Sequence, residues 1–177
     1  MNQHAGQLDV SPQRYVEHAV ETNTIARDAL RLETRDAKPI AAKISLGLSL
    51  QAAELAGKAM LRALGHTAEQ IRRNHRNHDL LTLLKQVEAE LQAHPNIELG
   101  EFHHFMLWAP TIDGRQFGNT IAAYFEVHFA RGPSAHPRSY FYPDEPVFAG
   151  PVPIQALYIM VEHLIEVARN VVDKMAR

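Results

Sequence analysis

An all-α fold is what this sequence predicts, and three observations carry it. Apolar residues recur three and four apart, most clearly as Ile154, Leu157, Tyr158, Val161, Leu164, Ile165, Ala168 and Val172. Helix-start chemistry precedes the long apolar stretches, at Ser11-Pro12, Lys38-Pro39 and Pro151 to Pro153. The one segment with strand-like alternation, Gly118 to Ala130, fits a helix equally well, and the helical context favours the helix.

In chain order, Met1 to Val10 is expected to be a loose tail. Ser11 then caps a first helix of moderate amphipathicity that carries Tyr15, Val16, Ala19, Val20, Ala26, Ala29 and Leu30 and ends near Arg35. The second helix, Ile40 to Leu64, is apolar on most sides. Ile44, Leu48, Ala52, Leu55 and Ala59 form one stripe, and Leu46, Leu50, Ala53 and Met60 another, which suits a central helix. Gly47 and Gly57 would let a neighbour approach closely, and Gly65 would stop the helix. The third helix is clearest from His78 to Ala93, with Leu80, Leu83, Leu84, Val87 and Leu91 on one face, and His94-Pro95-Asn96 ends it. Beyond it, Ile112-Asp113-Gly114-Arg115 reads as a turn. Arg131 to Gly150, proline-rich and holding Tyr140-Phe141-Tyr142, reads as an ordered irregular loop. The region 97–150 is therefore an insertion before the last helix.

Length and composition bound the function. One domain over residues 1–177 fits this length, and no repeat or linker divides it. The net charge of −2 rules out a global basic field, so any nucleic-acid binding needs a local patch. The chain has no cysteine, which excludes disulfides and thiolate metal sites and favours a reducing compartment. No apolar run approaches the length of a membrane span, and the N-terminus lacks a signal-like apolar region, so a cytoplasmic protein is expected.

The local patch is Arg72-Arg73-Asn74-His75-Arg76-Asn77-His78-Asp79, which packs three arginines and two histidines into eight residues. Arginine forks onto phosphate oxygens and keeps its charge, while histidine exchanges a proton near neutral pH. If the helix of Leu80 ran backwards unbroken, Arg73 would fall near its core stripe, where a bare charge is costly. A break between Arg73 and Asn77 is therefore expected, with Asn77 capping a helix that starts at His78 and Asp79 in its first turn.

The run from Ala52 to Leu61, with Glu54 and Lys58, then Gly65, then Arg73-Asn74 followed by His78-Asp79-Leu80, resembles the HEPN family of small helical domains. Their mark is an arginine, often a polar residue after it, and a histidine a few positions on. The likeness covers about residues 40–93 directly and the last helix loosely. It implies an up-and-down bundle of four to five helices and a homodimer with a shared cleft. It also implies a metal-independent endoribonuclease needing no cofactor, in which Arg73 and His78 are catalytic and Asn74, Arg72 and Arg76 bind RNA. Members that act as toxins have an antitoxin or nucleotidyltransferase partner. This chain departs from those at Leu80, where they carry a tyrosine, and Leu80 offers no hydroxyl to modify. A non-catalytic RNA- or nucleotide-binding or interaction module on the same fold is the alternative.

Blander readings stand beside these. The arginines can simply solvate a loop, and His78 can start a helix. Glu54 and Lys58, at i and i+4, read first as a surface ion pair and only second as a polar rim to a cleft. His75, His78 and Asp79 could be imagined around a metal, but two histidines leave the site without a third ligand. Glu101 and His104 form a single Glu-x-x-His, too few for a di-iron bundle. For the dimer, Ile71, Asn74 and Leu81 lie together and away from the core stripe, a face that a twofold partner would cover.

Overall fold

The computed structural model describes residues 10–31, 38–75, 79–94, 97, 111–112, 115–116 and 154–177. Among them are five helices, α1 (Pro12–Ala29), α2 (Lys38–Ala63), α3 (Ala68–Asn74), α4 (Leu80–Ala93) and α5 (Ile154–Met175). Two short strands, β1 (Thr111–Ile112) and β2 (Arg115–Gln116), pair antiparallel with Ile112 opposite Arg115. Asp113 and Gly114 of the expected turn, between the two strands in sequence, lie outside the described residues. The architecture is an all-α bundle.

α2 is central, as its all-round apolar surface requires, and packs against α1, α3, α4 and α5. One continuous core joins Val16 and Ala19 of α1, Leu50, Met60 and Leu61 of α2, Leu83, Leu84 and Leu91 of α4, and Leu157, Met160 and Leu164 of α5. Ile44, assigned to a core stripe by periodicity, is exposed instead. Small buried residues, Ala19 and Ala26 on α1 and Ala41, Ala52, Ala53 and Ala56 on α2, leave room for close helix contact.

A polar layer crosses this core. The Tyr158 hydroxyl donates to the carbonyl of Ala26 at 2.9 Å and also bonds to the Ser45 hydroxyl. Burial pushes the Tyr158 phenol up to about 12. These bonds also fix direction. They join the end of α1 to the starts of α2 and α5, so α1 runs opposite to both. Gln13 to Asp173 and Arg27 to Glu162, both 3.5 Å, confirm the antiparallel pairing of α1 with α5.

The ends follow local chemistry. Ser11 accepts from the Arg14 amide at 3.2 Å, and Pro12 occupies the first turn, as expected. α1 closes at Ala29 rather than near Arg35, because the Leu30 and Arg31 amides turn back to the Arg27 and Asp28 carbonyls. α2 stops as expected at Gly65, whose φ is 95°. There the Gly65 amide bonds to the Arg62 carbonyl at 3.1 Å and the His66 amide to the Leu61 carbonyl at 3.0 Å, the two bonds of a Schellman cap.

Gly57 allows the close approach its position suggests, lying against the Leu83 side chain of α4. With His66 bonded to Glu90 at 3.0 Å, this makes α4 run in the same sense as α2. The short α3 reverses between them, so direction alternates from α1 to α4. The expected loop over Arg131–Gly150, the Gly118–Ala130 helix, Glu101 and His104, and the N-terminal tail before Val10 lie outside the described residues. No described helix is long and apolar enough to cross a membrane.

Candidate functional site at the α3–α4 turn

Thr67-Ala68-Glu69-Gln70 starts α3 with a reciprocal capping box. The Thr67 hydroxyl accepts from the Gln70 amide at 3.1 Å, and the Gln70 side-chain oxygen accepts from the Thr67 amide at 2.7 Å. The Arg62 guanidinium donates to the His66 carbonyl at 2.7 Å and braces the connection from α2. α3 then buries Ile71 and presents Glu69, Arg72, Arg73 and Asn74 to solvent.

The predicted break is present. α3 ends at Asn74, with His75 as its C-cap at φ −116° and ψ 52°, and α4 begins at Leu80. The start differs from the expected His78. Asp79, not Asn77, is the N-cap, because its carboxylate accepts both from the Thr82 amide at 3.0 Å and from the Thr82 hydroxyl at 2.6 Å. Arg76, Asn77 and His78 lie outside the described residues, so the structure carries no account of the expected catalytic histidine or of the third arginine.

Of the remaining predicted residues, Arg72, Arg73 and Asn74 sit together and exposed on the last turn of α3. Cations there suit the negative end of the helix dipole. Arg72 is paired with Glu69. Arg73 is exposed and makes no ion pair among the described residues.

His75 was not a site candidate by register, yet its side chain is buried and hydrogen-bonded. It is 7% exposed, and its Nε2 lies 2.7 Å from the Gln86 side-chain oxygen. An amide oxygen only accepts, so Nε2 carries the proton and Nδ1 holds the lone pair. Nδ1 is buried and has no hydrogen-bond partner among the described residues. Burial lowers the histidine pKa below its ordinary value, and Lys58 adds to this. The Gln86 bond, Asp79 and Glu54 oppose it without reversing it.

Beneath the turn, Glu54 and Lys58 form a 2.5 Å ion pair. This corrects their reading as a surface pair. The Glu54 side chain is 6% exposed and that of Lys58 is 22% exposed, because the close contact at Gly57, between them in sequence, brings α4 down over this part of α2. The burial of Ile71, with Leu81 packed against the same core, also removes the apolar face that motivated a twofold partner.

The turn is thus an exposed layer of Arg72, Arg73 and Asn74 above the buried His75 and Glu54 and the half-buried Gln86 and Lys58. A signal for His75 was available: the capping box fixes the start of α3, and Ile71 and His75, at i and i+4, then share its buried face. No group of three or more metal-binding side chains occurs among the described residues. Two concavities of about 440 and 400 Å³ lie elsewhere, between α1 and α5 around Val20 and Arg169, and none of the turn residues lines them. No protein-family model, no curated protein and no solved structure matches the chain.

Proposed function

We propose that the chain is a HEPN-like, metal-independent endoribonuclease of the toxin or defence kind, working at the α3–α4 turn. The observation that carries this reading is Arg73, an exposed arginine without an ion pair among the described residues, beside the exposed amide of Asn74 at the end of a helix pinned from below. In the proposed reaction the Arg73 fork and the Asn74 amide hold non-bridging phosphate oxygens. The ribose 2′-oxygen attacks phosphorus and loses its proton. The bond to the 5′-oxygen breaks, and that oxygen gains a proton. His78 is assigned the proton transfer, and Arg73 the charge that gathers on the phosphoryl oxygens.

The test is incubation of the purified protein with single-stranded RNA, with and without a chelator. Cleavage that survives the chelator is expected. His78→Ala should lower its rate by about 10²–10⁴-fold and leave most RNA affinity. Arg73→Ala should weaken both binding and cleavage, and Arg73→Lys should restore only part, since the planar fork is lost. One observation favours the non-catalytic module as the second reading: His75, the described histidine of the turn, is buried and committed to Gln86. RNA binding that depends on Arg73, with no cleavage of any RNA, would decide for that module.

A further inference from the structure

His75 closes α3 with its backbone and reaches α4 with its side chain. Its amide donates to the Ile71 carbonyl at 2.9 Å, and its ring donates to Gln86 at 2.7 Å. This side-chain hydrogen bond joins the end of α3 to α4. The residues immediately before it are the exposed Arg73 and Asn74, so their direction depends on where the ring is held. Among the described residues, the charges that act on the ring are Glu54 and Lys58 from α2 and Asp79 from the cap of α4.

We propose that His75 is the positioning residue of the phosphate-gripping turn: its neutral ring clamps the end of α3 to Gln86 of α4, and a second proton is taken up only as the ring leaves this seat. The proposal rests on the RNA reading of the turn. Its reason is the environment of Nδ1. In the seated ring, the added proton would sit on a buried nitrogen with no acceptor, near the Lys58 ammonium. Water outside the seat solvates the imidazolium far better. Lowering pH therefore favours the released ring and a loosened end of α3. Gripping of RNA then weakens on acidification, although added positive charge would by itself strengthen it.

Two measurements on the full chain test this, one of them without RNA. The first is hydrogen exchange of the His75 amide, corrected for intrinsic rate, between pH 7.5 and 5.5. Protection should fall below pH 6.5 in the wild type and be low throughout in Gln86→Leu. In Gln86→Glu it should persist, because a carboxylate pairs with the charged ring. The second is the affinity for a single-stranded RNA oligonucleotide at fixed salt.

Wild-type affinity should drop as pH falls across this range, because the seated ring resists the second proton. Gln86→Glu should hold its affinity, and Gln86→Leu should be weak at every pH. A second imidazole, His66, is paired with Glu90, and comparison of the Gln86 variants with the wild type separates its contribution. Unchanged protection at His75 from pH 7.5 to 5.5 would overturn the clamp whether or not RNA binds. So would affinity that rises steadily as pH falls. The clamp readout behaving as described with no RNA bound at any pH would leave the clamp standing and reject the RNA reading alone.

Discussion

Gly57→Ala tests the contact on which the site is built. A Cβ at position 57 would lie 3.0 Å from Cδ2 and 3.2 Å from Cγ of Leu83. Carbon atoms sit best at about 3.5–4.0 Å, so both distances are repulsive. Leu83 is 0% exposed and hemmed in by the core, so it has no open side to move into. Two effects compete. Alanine in a helix interior gains about 1 kcal/mol over glycine. Overpacking a closed core costs about 1–3 kcal/mol. The expected net is a loss of up to about 2 kcal/mol, opposite in sign to the propensity gain.

Leu83→Ala alone should cost about 2–5 kcal/mol through the cavity it leaves. In that background Gly57→Ala should become stabilising by about 1 kcal/mol, because the clash is gone and only the propensity gain remains. The assay is urea denaturation followed by circular dichroism, comparing midpoints at constant slope. A stabilised Gly57→Ala in the wild-type background would refute the contact. With it would go the explanation of why Glu54 and Lys58 are covered beneath the turn.

Tyr158→Phe should cost about 1–2 kcal/mol, since it strands the buried Ser45 hydroxyl and takes a donor from the Ala26 carbonyl. Because the folded phenol is raised to about 12, its contribution is whole below pH 10 and is lost as pH rises through 12. An alkaline stability profile should therefore lose part of its fall in Tyr158→Phe. The lowered pKa of His75 has the opposite sign: its contribution is present above pH 6.5 and is lost as pH falls through the folded value. Thermal melts of wild type and Gln86→Glu between pH 7.5 and 5 should show the wild type losing more. For assembly, the dimer belongs to the proposed reading, and light scattering at micromolar concentration should give about twice the 19.9 kDa chain mass; a clean monomer would remove the shared cleft.

How legible each element was depended on whether its signal was local. Ser11-Pro12, Gly65 and the break after Arg73 are short-range chemistry, and each lies where the sequence placed it. On α5 the expected Leu157, Tyr158, Val161, Leu164, Ile165, Ala168 and Val172 are buried, while Met160, Val167 and Val171, buried as well, widen the face beyond the expected stripe. The errors fall where two local signals compete. Asn77 and Asp79 are both good caps, and only the placement of Thr82, which offers two donors to the aspartate, decides between them. On α2 periodicity could not separate Ile44 from Leu46, because an all-apolar helix has no polar face to mark the outside.

At the site, the exposed half was legible and the buried half was not. Arg72, Arg73 and Asn74 announce themselves by charge and by the cost of burying them. His75 and His78 look alike in the sequence, both among arginines and asparagines, and motif spacing alone favours the second. What separates them is the seven-residue α3, too short for apolar periodicity and visible only through Thr67 and Gln70. Once α3 exists, Ile71 and His75 share its inner face, and Gln86 and the Glu54–Lys58 pair become the ring's surroundings. Glu54 and Lys58 look like a solvated pair for the same reason: an i,i+4 spacing says nothing of what covers it. The cover comes from α4, 22 or more positions further on, and its closeness is set by the missing side chain of Gly57. A glycine in the middle of a helix was thus the one sequence feature that connected the buried pair to the turn above it.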